Sequence, residues 1–138
     1  MIILDTYVIS EPLRQKPASS VVEWLDQQSI ETLYLTTITV GEIRYGLATL
    51  ANGKRKNTLQ ARFETEVLPL FKNRVLSYDL SATETYAAMM ARAKDEGLAI
   101  GTADGIIAAI AKCHRMKVAT RDSSPFLAGG IEVINPWM

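Results

Sequence analysis

Apolar residues gather along this chain into five short strand-like runs, at 2–4, 33–37, 74–78, 117–120 and 131–134, separated by longer stretches of helical period. Pro17-Ala-Ser-Ser precedes a helix over 21–28, and Ser20 with Glu23 has the spacing of a capping box. A second helix, over 39–50, stops at Ala51-Asn-Gly53, a helix-end signal. A third runs over 54–71 with an interruption near Pro69. Ser81 with Glu84 opens a fourth, which closes near Gly97, and 104–115 is the last. Strands that alternate with helices lie parallel and are joined by helical crossovers. The expected fold is therefore α/β: a three-layer α/β/α sandwich around a central, mainly parallel five-stranded sheet, with residues 1–138 as one domain. The 104–115 helix is apolar on nearly every side. Ile107, Ala108 and Ala111 fall on one face and Ile106, Ile110 and Cys113 on another, as in a buried helix.

Composition supports this picture and removes several alternatives. A chain of 138 residues can bury a single core, and 48% hydrophobic with 22% charged residues excludes disorder. No apolar run reaches the roughly 18 residues of a membrane span. The start, Met-Ile-Ile-Leu-Asp, meets a charge at Asp5 and reads as the first strand, not as a leader peptide. One cysteine, Cys113, excludes an internal disulfide and a multi-cysteine zinc site, which fits a reducing cytoplasm. Fifteen basic and fifteen acidic residues leave no bulk charge to attract nucleic acid. A nucleic-acid enzyme of this composition has to gather its acids in one pocket and its cations on one face.

Four acids meet that requirement. Ligands of open parallel sheets bind beyond the carboxyl ends of the strands. Asp5 directly follows the first strand, Glu42 sits one turn into the helix after the second, Asp104 opens the buried helix, and Asp122 follows the strand at 117–120. Each also has a plain structural role available. Asp5 can cap the next segment, Thr39-x-x-Glu42 has the form of a capping box, Asp104 suits a helix N-terminus, and Asp122 can form a turn. Asp104, however, shares the stripe of Ile107, Ala108 and Ala111, so its carboxylate is turned toward the buried side and needs a partner. If the acids converge, a hard cation such as Mg²⁺ offsets their repulsion, and it can activate water and stabilise in-line displacement at phosphorus. Cys113 and His114, adjacent on a helix, do not face each other. No glycine-rich phosphate loop is present.

The same residues carry a family resemblance. Ile2-Ile-Leu-Asp-Thr6 with Val8-Ile-Ser-Glu-Pro-Leu13, Thr39-Val-Gly-Glu-Ile-Arg-Tyr-Gly46, Ala103-Asp-Gly-Ile-Ile-Ala-Ala109 and Val118-Ala-Thr-Arg-Asp122 resemble, in order, the four motifs of PIN-domain toxins. The chain is similar to VapC-like toxins of the FitB type, and the ending Ile134-Asn-Pro-Trp137 is typical of one branch. The resemblance spans nearly the whole chain. It implies a PIN-like fold and an endoribonuclease dependent on Mg²⁺ or Mn²⁺, the toxin of a type II toxin–antitoxin pair. It also implies a DNA-binding antitoxin partner, a homodimer, and higher assemblies on operator DNA.

Carried over by position, the catalytic and metal-binding set is Asp5, Glu42, Asp104 and Asp122, supported by Thr6 and Thr120. The chain departs from the family at Tyr7, where Asn is usual. The ring either narrows the pocket or turns aside into the core. Impaired catalysis there leaves an alternative: a silent PIN module that acts only with its antitoxin in an operator-binding complex. Arg44 and Arg121, next to site residues, are candidates for substrate phosphate. Gly53-Lys-Arg-Lys56 either meets RNA phosphates or is a solvated helix start. Trp24 and Leu25 suit core or dimer packing, His114 the surface, and Val21, Leu25 and Leu47 a dimer interface.

Overall fold

A computed structural model describes all residues, 1–138. The strands are β1 (Ile2–Leu4), β2 (Leu33–Thr36), β3 (Val75–Leu76), β4 (Lys117–Ala119) and β5 (Val133–Ile134). The helices are α1 (Thr6–Ser10), α2 (Ser19–Gln27), α3 (Thr37–Ala48), α4 (Lys54–Arg62), α5 (Leu80–Asp95), α6 (Thr102–His114) and α7 (Ser124–Ala128). The sheet order is β3-β2-β1-β4-β5, and every pairing is parallel. From β1 the chain steps outward to β2 and β3, then returns to the other side of β1 for β4 and β5. The winding thus reverses between the paired strands β1 and β4, and open α/β sheets bind ligands beyond the carboxyl ends of the strands at such a point.

Alternation along each strand divides the core in two. Leu4, Leu33, Leu35 and Ala119 point to one face, where Val8, Val21, Val40, Ile43, Phe63 and Phe71 cover them. Ile3 and Val118 point to the other, against Ile107, Ile110, Met89 and Phe126. Helices on both faces give the expected three layers. The α6 helix is buried from Ile107 to Ala111, as its apolar pattern requires. Gly105 lets α5 approach it closely, since a Cβ there would lie 2.8 Å from the Met90 sulfur and 3.2 Å from the Tyr86 ring.

Several local expectations change. The run after Asp5 is helical at once, as α1 and a 3₁₀ turn at Glu11–Leu13. The Ser20–Glu23 capping box does not form. α2 begins at Ser19 behind Ala18, which has no side chain able to cap, and the Ala18 N–H is taken instead by the buried Glu11 carboxylate at 3.1 Å. The helix read over 54–71 leaves α geometry well before Pro69, with a π turn at Phe63–Val67 followed by a 3₁₀ turn at Leu68–Phe71. Val21 is wholly buried in the chain's own core and is unavailable to a dimer interface; Trp24, Leu25 and Leu47 pack partly against that core. His114 is exposed. No helix is long and apolar enough to cross a membrane.

Candidate active site

The carboxyl ends of β1 and β4 place the first side chains. The Asp5 N–H donates to the Ala119 carbonyl at 2.9 Å, which fastens the end of β1 to β4. The Asp5 side chain, only 6% exposed, is gripped on both oxygens. Oδ1 accepts the Thr6 N–H at 2.8 Å and so caps α1; Oδ2 accepts the Thr120 hydroxyl at 2.8 Å. Asp5 is therefore both the cap its position suggested and a buried acid facing the switch point.

Glu42 is not the second half of a capping box. α3 starts two residues earlier than the sequence suggested, and its cap is Thr36, whose hydroxyl accepts the Thr39 N–H at 3.2 Å. Thr39 is thereby carried into the helix and buried. The hydroxyls of Thr36, Thr39 and Thr6 lie in line at 3.4 Å spacings, and Thr6 donates to Glu42 Oε1 at 2.7 Å. Sequence reasoning singled out Thr6 but missed Thr36 and the buried role of Thr39. Its signal was the Thr36-x-x-Thr39-x-x-Glu42 spacing, which puts the last two on one helix face.

Asp104 occupies the first turn of α6, half-buried. No protein hydrogen bond reaches its carboxylate, whose pKa is raised, first by burial and then by the charges of Asp5, Glu42 and Asp122. Asp5 is also raised: burial outweighs the lowering by its bonds to Thr120 and Thr6, and Glu42 and Asp122 add to the rise. Glu42 and Asp122 thus lie within electrostatic reach of both Asp5 and Asp104. Asp122 also forms the turn read from its sequence, since its Oδ1 accepts the Ser124 hydroxyl at 2.8 Å.

A cavity of about 510 Å³ opens on this cluster, lined by Asp5, Thr6, Glu42 and Asp104 together with Tyr7 and Tyr45. Tyr7 is 67% exposed, so its ring does not turn into the core. The structure does not bring Arg44 and Arg121 to the acids. Two residues beyond Glu42 on a helix, Arg44 points elsewhere and binds Glu64 through Nε at 2.8 Å and Nη2 at 3.0 Å. The Arg121 guanidinium stacks over the Trp137 ring, 5.2 Å from its centroid.

The donors facing the cavity are carboxylates and hydroxyls, a set that suits Mg²⁺ or Mn²⁺ and not a zinc centre of thiolates and imidazoles. No three of the chain's His, Cys, Asp and Glu side chains are placed to grasp one ion together.

Comparison with known proteins agrees with this architecture. The family model of the PIN domain matches residues 2–128. VapC ribonuclease Y4jK of Sinorhizobium fredii is 55% identical over 137 residues, covering 99% of this chain and 98% of that protein. Toxin FitB of Neisseria gonorrhoeae is 51% identical, covering 99% of both. The solved structure of FitAB bound to an IR36 DNA fragment superimposes with a TM-score of 0.98 at 51% identity, over 100% of this chain and 96% of that one. A parallel five-stranded sheet with acids at its winding reversal, matched over nearly its full length by VapC and FitB proteins, makes this chain a member of the PIN-domain family.

Proposed function

We propose that the chain is a divalent-metal-dependent endoribonuclease and the toxin of a type II toxin–antitoxin pair. The observation that carries the proposal is the meeting of Asp5, Glu42 and Asp104 at one open cavity on the carboxyl edge of the sheet, with the Asp122 charge felt by both aspartates. Asp5 and Asp104 are the principal ligands for Mg²⁺ or Mn²⁺, with Glu42 and Asp122 acting through water. When bound, such an ion supplies charge neutralisation at phosphorus and lowers the pKa of coordinated water.

The protein's own part is positioning. The Thr120 hydroxyl and the Thr6 N–H fix both Asp5 oxygens, and the Thr6 hydroxyl fixes Glu42. The walls then hold an RNA phosphodiester against the acids. The expected products carry 5′-phosphate and 3′-hydroxyl ends. The resemblance to FitAB, seen on DNA, supports a DNA-binding antitoxin as partner. An arginine from that partner, laid among the carboxylates, would neutralise them and block the cation. Pairing of two copies into a homodimer belongs to the same proposal.

The test is cleavage of single-stranded RNA by the purified chain. Cutting in Mg²⁺ or Mn²⁺ that stops in EDTA is expected. Cutting that persists in EDTA overturns the metal dependence. A folded chain that neither binds Mn²⁺ nor cuts RNA is instead the silent module.

A second measurement checks the support given to Asp5. Thr120→Val preserves volume but leaves a buried Asp5 oxygen without its donor. Mn²⁺ affinity by calorimetry is expected to fall about 10- to 100-fold, the usual cost of losing a group that orients a ligand. Unchanged affinity would mean that Thr120 serves the fold alone.

A further inference from the structure

Tyr7 and Tyr45 are 67% and 73% exposed, and both line the cavity that contains Asp5, Glu42 and Asp104. Neither phenol hydroxyl is held by a hydrogen bond. Neither ring packs edge or face against another, the aromatic pair of the fold being Tyr78 with Tyr86. Two large rings are thus held out to solvent beside the acids, with no structural work to do.

The first turn of α4 is equally unexplained by the fold. Lys54, Arg55 and Lys56 fill it, with no acid among them and no side-chain cap from Gly53. Cations at a helix N-terminus oppose the macrodipole. Lys56 is held by the Ala48 carbonyl at 3.0 Å and Asn52 Oδ1 at 3.2 Å. Arg55 has no carboxylate within ion-pair distance, and it lines the same cavity as the two tyrosines. Local stability does not account for this arrangement, whereas a polyanion bound across the cavity does.

We infer that Tyr7 and Tyr45 are stacking faces for unpaired bases of an RNA strand whose phosphate meets Arg55, so that the cavity selects single-stranded RNA. The inference rests on the ribonuclease function proposed above and adds how the strand is recognised. Rings and a guanidinium without a carboxylate partner, lining one cavity, are the parts that bind single strands, because every base offers a π face and every linkage a charge.

Binding is measured by fluorescence anisotropy in EDTA, with the Asp104→Asn chain as host so that nothing is cut. The probes are a labelled RNA octamer and an abasic octamer of the same length. Tyr45→Leu is expected to weaken the octamer on the order of tenfold, while Tyr45→Phe keeps its affinity within about twofold. The abasic strand, lacking π faces, is expected to bind Tyr45→Leu and its parent alike. Arg55→Gln is expected to lower the slope of log affinity against log salt by about 0.7 for both probes. Circular dichroism confirms that each variant is folded.

No octamer binding, octamer affinity unchanged by Tyr45→Leu, or equal losses on the two probes would overturn the inference. So would a Tyr45→Leu defect confined to an arginine-bearing peptide, which would mark a polypeptide site. The two proposals fail separately. RNA cleavage by the unsubstituted chain in Mn²⁺ without this binding pattern removes only the stacking role. The binding pattern without cleavage removes only the nuclease.

Discussion

Asp104→Asn and Asp5→Asn are each expected to lower RNA cleavage by about 10³-fold or more, as loss of several kcal/mol of cation-derived stabilisation requires. The same changes are expected to leave the melting temperature equal or higher. At Asp104 the physical reason is simple. The carboxylate is half-buried, receives no hydrogen bond, and feels three other acids. An amide of the same shape removes that repulsion and, with it, the charge that would hold the proposed cation. At Asp5 the amide also preserves the local bonds: its oxygen can keep the Thr6 N–H, and its NH₂ can donate to the Thr120 oxygen. Rates of RNA cleavage and thermal unfolding of both variants check this. A large fall in melting temperature with cleavage intact would make the two acids structural caps.

The second large effect is on the pH dependence of stability without metal. Asp5 and Asp104 both have folded-state pKa values raised above the ordinary 3.8, so the folded chain holds their protons more tightly than the unfolded chain does. Their contribution is fully present below that ordinary value and is lost as pH rises through the raised values. In EDTA, the chain minus its Asp104→Asn variant isolates the Asp104 part, because carboxylates elsewhere, such as Glu64 held low by Arg44, titrate alike in both. That difference is expected to turn against the unsubstituted chain as pH rises above the ordinary 3.8. A divalent cation bound as proposed is expected to reverse it. At about a hundred times its dissociation constant, a ligand of the folded state adds about 2.7 kcal/mol, on the order of 10 °C for a domain this size. Thermal unfolding across pH, with EDTA and then with Mn²⁺, reads both effects. A stability difference that grows with pH, or a melting temperature indifferent to Mn²⁺ at pH 7, would refute the expectation.

Much of the architecture could be read along the chain. Five apolar runs alternating with helical periods dictated a parallel sheet between two helical layers, since parallel neighbours need crossovers and each crossover needs an apolar face to cover. The buried α6 followed from an apolar surface that leaves no side for water. Asp5 and Asp122 could be chosen because each follows a strand, Glu42 because it rides on the helix after β2, and Asp104 because it shares the apolar stripe of α6. Local propensity did not settle where helices begin. Ser20 and Glu23 have capping-box spacing, yet α2 opens behind Ala18, because the buried Glu11 carboxylate takes the Ala18 N–H. That bond joins residues seven apart and depends on how the turn after α1 packs.

The sequence by itself determined the layers, the direction of the strands and the acids available to a site. Tertiary structure decided which neighbours those acids have. Only the winding reversal between β1 and β4 brings Thr120 onto Asp5, 115 residues away, and only the packing of α1 on α3 brings the Thr6 hydroxyl onto Glu42. The arginines show the same division. Arg44 and Arg121 stand next to site residues in sequence, but helix geometry turns Arg44 to Glu64 and packing sets Arg121 on Trp137, while Arg55, remote in sequence, lines the cavity. Proximity along a chain fixes direction only through the period of the element that carries it, whereas burial, repulsion and hydrogen-bond partners arise between elements that meet only when the chain folds.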